Sequence, residues 1–328
     1  MSQARRGTIL GAAGAFSISA ISALTAAALL RDHPPGGLER WTRTNHAGRP
    51  VTLFEGPAYA VGAVAGALAG GAGTPAAVAG LGAAGFGALD DLFGAGSSKG
   101  LRGHLSAARR GELTTGVVKV AGLGATGLLA AWLVDRSGRW TQSPGPTQVP
   151  EQTRLPGHTQ LPEQTRLPGQ TQLPEQTQSY EQIQAMTTLV GGAVISGSAN
   201  IANLLDLRPG RALKVVLLLA GPIFAGAGRG RLLSRATAGA AAGAAAAVLS
   251  DDLAGRSMLG DTGANSAGAL LGTALVARTG RRGRLLALAV VTVLTLASEK
   301  VSFTKVIEST PGLRELDALG RPPQHPAR

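Results

Sequence analysis

An all-α fold, a polytopic transmembrane helix bundle of about nine spans with a disordered repeat loop, is predicted by three features of this 328-residue chain. Apolar residues make up 44% of it but aromatic ones only 3%, and 48 residues are glycine. Small side chains let helix backbones approach closely in lipid, where packing must hold helices together because the solvent is already apolar. Long stretches without a single charge recur along the chain. Proline and glutamine are instead concentrated in one polar insert, which brings the mean hydropathy down to +0.16.

The uncharged stretches are 9–30, 57–89, 183–205, 215–228, 236–250, 262–277 and 285–298, and 113–134 is broken only by Lys119. As one helix, 57–89 would extend about 50 Å against a hydrocarbon core of about 30 Å. It is therefore predicted to fold back at Gly70-Gly71-Ala72-Gly73, which gives nine spans. Arg5 and Arg6 precede an apolar run as in a signal peptide, but eight further apolar segments favour a retained first helix. Four units follow: spans one to four in 1–134, a disordered loop in 135–182, spans five to nine in 183–303, and a cytoplasmic tail in 304–328. The loop carries a twelve-residue repeat that starts at Pro150 and Pro162 and is truncated from Pro174. Proline at every sixth position with abundant Gln and Thr favours an extended, solvated tether, and His158 within it is expected to bind nothing.

Composition also excludes function classes. The net charge of +12 comes from scattered arginines without interleaved aromatics, so no nucleic-acid partner is expected. No cysteine is present, which rules out disulfides, thiolate metal sites and cysteine nucleophiles.

If the spans alternate, fourteen of the nineteen acidic residues fall on one face. They include Asp90-Asp91 after the third span, Asp206 after the fifth, Asp251-Asp252 and Asp261 after the seventh, and Glu299 onward after the ninth. Each cluster alone could simply cap helix ends. Carboxylates at the margins of apolar helices are costly to desolvate, so their convergence marks a functional face.

The ordered series Asp90-Asp91, then Asn200-x-x-Asn203-Leu-x-Asp206-x-x-x-Gly210, then Met258-Leu-Gly-Asp261-Thr-Gly resembles the phospho-N-acetylmuramoyl-pentapeptide transferase and polyprenyl-phosphate N-acetylhexosamine-1-phosphate transferase family (glycosyltransferase family 4). The resemblance covers most of the chain outside the repeat. It implies an enzyme in which a polyprenyl phosphate attacks the sugar-proximal phosphate of a UDP-sugar, releasing UMP, in cell-wall or surface-glycan synthesis. It further implies Mg2+ as cofactor, with Asp261 and Asp91 as metal ligands and Asp90 deprotonating or positioning the nucleophile. Asn200, Asn203 and Asp206 would orient the uridine diphosphate, and Asp251 matches a polar position in the same loop as Asp261. Lys99, Lys119 and Arg102 are candidates for phosphate charge, or equally for interfacial anchors. The segment from Asn45 through His46 and Arg49 to Glu55-Gly56 sits where the family has another substrate loop.

Three departures accompany the likeness. Pro209 stands where the family has a second aspartate, 299–308 replaces an expected histidine cluster, and a tenth helix is missing. They set the alternative, a non-catalytic scaffold or lipid-carrier binder that has lost donor recognition; a solute transporter would place its carboxylates at mid-span. The implied setting is the plasma membrane, with acidic loops cytoplasmic, the repeat external, and partners that are the bilayer, the lipid phosphate and the UDP-sugar. A homodimer is compatible with all of this.

Overall fold

The computed structural model describes residues 3–45, 48–94, 115–140, 174–225 and 231–322. A long first helix, α1 (Gln3–Asp32), leads through the single turn α2 (Leu38–Trp41) into an antiparallel hairpin of β1 (Thr42–Thr44) and β2 (Pro50–Thr52). The helices α3 (Glu55–Ala69), α4 (Gly73–Phe93), α5 (Thr115–Trp140), α6 (Pro174–Leu205) and α7 (Arg211–Ala225) follow. Next come α8 (Arg231–Leu253), α9 (Gly260–Arg278), α10 (Arg281–Ser298) and two short C-terminal helices, α11 (Phe303–Ser309) and α12 (Leu313–Ala318).

The nine helices of fifteen residues or more among the described residues coincide with the nine apolar segments. The break between α3 and α4 falls at the predicted glycines, where Gly71 and Gly73 adopt φ of 85° and 68°, a region closed to most side chains. Five helices, within α1, α4, α5, α6 and α8, are long and apolar enough to cross a membrane, and a sixth qualifies if α10 and α11, bent by 94°, count as one. The remaining three miss for physical reasons. At about 1.5 Å per residue, α3 and α7 reach only about 22 Å. The polar α9 is buried over nearly its whole length and packs against α3, α4, α6 and α8, so it has no need of a lipid-compatible surface.

Small residues line the inside and large ones the outside. The core is dominated by alanine, from Ala15 and Ala63 to Ala244 and Ala274. Leu24, Leu81, Leu218, Leu286 and Val293 lie exposed on the perimeter. Where α1, α3 and α8 meet, backbones touch: a Cβ added to Gly243 would lie 2.1 Å from the carbonyl oxygen of Phe16, and one on Gly66 2.3 Å from that of Ala15. Van der Waals contact between backbones at this range is how glycine supplies association energy in lipid.

Two sequence boundaries shift. The helix α5 runs to Trp140 and α6 starts at Pro174, so both intrude into the span 135–182 expected to be disordered. Proline suits the first turn of a helix, where its missing N–H would have no partner, and the Glu/Gln-rich stretch after it favours continuation. The repeat before Pro174 lies outside the described residues, as do His46, Lys99, Arg102 and His158. The tail expected from 304 onward is partly helical and folds back onto α7.

Candidate functional site at the acidic end

Helix direction alternates through the bundle, which brings one set of termini together. The ends of α4, α6, α8 and α10 and the starts of α3, α5, α7 and α9 lie at one end of the molecule, linked by Asp91–Thr262, Lys119–Asp261, Ser257–Glu55 and Asp252–Gly210 contacts. At the opposite end α5, α6 and α10 meet through Asp135, Thr188 and Arg284.

The centre of the acidic end is the first turn of α9. A helix N-terminus presents unpaired amides and a partial positive charge, and so attracts carboxylates. Asp91 accepts the Asp261 amide at 3.0 Å on Oδ1, and the Thr262 amide at 2.8 Å and Thr262 hydroxyl at 2.6 Å on Oδ2. It thus caps α9 from a neighbouring helix, and its backbone carbonyl in turn accepts from Arg43 of the hairpin. Lys119, mostly buried on α5, donates to Asp261 and stands 3.5 Å from Asp90. The carboxyl groups of Asp90 and Asp261 themselves lie within hydrogen-bonding reach of each other. One lysine therefore serves two touching carboxylates.

A second layer of acids lies beside this one. The amide of Gly260 donates to Asp206, whose Oδ2 is buried without a hydrogen-bond partner among the described residues. Burial, reinforced by the carboxylates of Asp252, Asp261 and Asp91, pushes the Asp206 carboxyl well above the usual range. Asp252 accepts the Gly210 amide at 2.9 Å and thereby fixes the start of α7. Glu55, 2% exposed, accepts the Ser257 hydroxyl at 2.6 Å on one oxygen and leaves the other unpartnered.

The structure brings together Asp90, Asp91, Lys119, Asp206 and Asp261. Asn200 and Asn203 are half-buried about two turns and one turn before Asp206, and their side-chain amides make no hydrogen bond with the described residues. Asp251 stands apart at the rim, paired with Arg31 and Arg256. The sequence placed Glu55 only in a candidate substrate loop and did not foretell its burial, Asp252's cap on α7, or the tail latch. In the latch Arg211, 3% exposed, grips Asp317 through two bonds at 2.8 and 3.1 Å, and Lys214 donates to the carbonyls of Leu316 and Asp317. Partial burial alone would raise the Asp317 carboxyl, but the Arg211 and Arg321 guanidiniums hold it below its ordinary value.

Among the described residues no group of three or more His, Cys, Asp and Glu side chains is arranged to hold a metal ion. Magnesium does not require such a cage, since it retains waters and is usually held by one or two carboxylates together with substrate phosphates. The paired Asp90 and Asp261, with only Lys119 between them and a partnerless Asp206 oxygen nearby, suit that mode.

Fold and site define a class: an α-helical protein with, among the described residues, five or six helices long and apolar enough to cross a membrane, and a cluster of carboxylates at one end of its bundle. No protein-family model matches the chain, and no curated protein matches it.

Proposed function

We propose that this protein is a membrane transferase that moves a sugar-1-phosphate from a UDP-sugar to a polyprenyl phosphate. The observation that carries the reading is the meeting of the three ordered motifs at one end of the bundle: Asp90-Asp91, Asn200 to Asp206, and Asp261, with Lys119 among them. In the proposed reaction an oxygen of the lipid phosphate forms a bond to the sugar-bearing phosphorus, the bond between the donor's two phosphorus centres through their bridging oxygen breaks, and UMP leaves with that oxygen. Both reactants are anions, so positive charge is required. Bound Mg2+ would supply it by offsetting the negative charge of the phosphates. In this reading Asp261 and Asp90 would hold the ion, whereas Asp91 holds α9, and with it Asp261, in position. Lys119 would exchange its carboxylate partners for phosphate oxygens, and the amides of Asn200 and Asn203 are available to the uridine.

The reading includes nine crossings, with the acidic end facing the cytoplasm, where UDP-sugars are found. The alternation of helix ends supports it, as does the apolar perimeter of α10.

Membranes carrying the protein are expected to release UMP from a UDP-sugar and polyprenyl phosphate only when Mg2+ is present. Asp261→Asn should lower that rate by about a hundredfold or more, as removal of a charge-stabilising group from a dry site does. Full activity in Asp261→Asn would overturn the mechanism. A second reading, a lipid-carrier binder without turnover, is favoured by one observation: α11 and α12 occupy the place of the expected histidines and are locked to Arg211. Lipid-phosphate binding with no UMP release across a panel of donors would establish it instead.

A further inference from the structure

Asn265 is fully buried, yet neither its side-chain oxygen nor its nitrogen has a hydrogen-bond partner among the described residues. A dry, unpaired amide is costly, and such groups in native proteins are usually met by a water, an ion or a ligand. Its position says which. In a helix, residues four apart lie on one face, and side chains lean toward the N-terminus, so Asn265 stands one turn beneath Asp261 and tilts toward it.

The register with α6 fixes the other wall. Gly272 packs on Ile195 and Ser198, Gly268 packs on Ser198 and Ala199, and the Gly260 amide reaches Asp206. The two helices are therefore antiparallel, and Asn265 falls level with Ala202, one turn below Asp206. The Oδ2 of Asp206 and the amide of Asn265 are thus two buried, unpartnered groups on facing walls, with Asp261 above them.

We infer that Asn265 supplies a neutral oxygen ligand to the same divalent cation proposed at Asp261, from the bundle-interior side that faces Asp206. Its amide oxygen completes a hard-oxygen donor set that carboxylates alone do not form. The inference deepens the proposed magnesium centre and rests on that reading for the identity of the ion. It does not depend on the identity of the sugar donor.

The test is Mn2+ binding, read by electron paramagnetic resonance on the full-length chain in detergent, because Mn2+ substitutes for Mg2+ at oxygen sites. Asn265→Leu, close in volume but without an oxygen, should weaken Mn2+ binding about tenfold or more while the melting temperature holds or rises. Asn265→Asp should tighten binding, because it replaces a neutral oxygen with a charged one. Unchanged affinity in Asn265→Leu overturns the inference, as does absence of Mn2+ binding by the wild type. If Asn265→Leu does not fold, Asn265→Asp decides: tighter binding supports the ligand role and unchanged binding refutes it. UMP release, measured in parallel, judges the transferase reading separately. Mn2+ binding that depends on Asn265 without UMP release keeps the ion site and discards the enzyme.

Discussion

The two ends of the bundle are built on opposite electrostatic plans. At the far end, Asp135 receives Arg284 at 2.6 Å and Thr188 at 2.6 Å, so one buried acid is matched by a cation and a hydroxyl. At the acidic end Asp90 and Asp261 share one lysine, Asp91 is met by amides and a hydroxyl alone, and Asp206 and Glu55 each keep an oxygen with no partner among the described residues. A buried charge without a partner destabilises a fold unless something offsets it. The far end is matched pair by pair, and on the proposed reading the unmatched acids of the other end are offset by what binds there.

The largest effect is expected where backbones touch. Gly243→Leu would drive a side chain into the Phe16 carbonyl, and no monodisperse protein should be recovered by size exclusion. Next is Arg284→Met, which strips the cation from Asp135 and should cost on the order of 3 kcal/mol in unfolding experiments. Adding Asp135→Leu should restore most of that loss. If the single variant is as stable as the wild type, the far end is not the structural half of the comparison.

At the acidic end the expected signs differ. Asp317 has a depressed pKa, so its contribution is present above the unfolded value of about 3.9 and is lost as pH falls through the lower folded value. Asp317→Asn should therefore release the tail to proteolysis at neutral pH, as strong acid does in the wild type. Asp206 has a raised pKa, so its stability contribution is full below about 3.9 and disappears as pH rises through the higher folded value. Without divalent cations, Asp206→Asn should melt above the wild type at pH 8, with the gap closing in acid. A lower melting temperature at pH 8 would mean that the acid is satisfied after all. The smallest effect is assigned to Arg314→Gln at the exposed Arg314–Glu315 pair, where no change in melting temperature is expected.

Much of the fold was legible because charge exclusion acts on every residue of an apolar helix, so the segment limits and the turn at Gly70 to Gly73 could be read directly. The acidic centre was legible to the extent that it lies at helix ends in ordered motifs. The ion pairs of Asp251 were not legible because its partners, Arg31 and Arg256, include one 220 residues away, a pairing that local spacing does not reveal. The tail latch was hidden for the same reason, since Arg211 and Asp317 are 106 residues apart. Glu55 and Asn265 each stand as a single polar residue beside an apolar run, where periodicity carries no signal. Asn265 had one clue, its place a single turn after Asp261. The length of α5 and α6 beyond the apolar segments was missed because hydropathy marks where a helix could meet lipid, not where its hydrogen bonds stop.

The cap that Asp91 places on α9 bears on how such a chain can change over generations. Substitution at position 91 would unseat the central helix whether or not any reaction occurs at its tip. A lineage that abandoned the chemistry would still be selected to keep this aspartate, whereas Asn200 and Asn203, whose side chains cap no described helix, could drift. Persistence of Asp91 among natural variants therefore reports architecture first. Only joint retention with the lysine and the asparagines would report an enzyme.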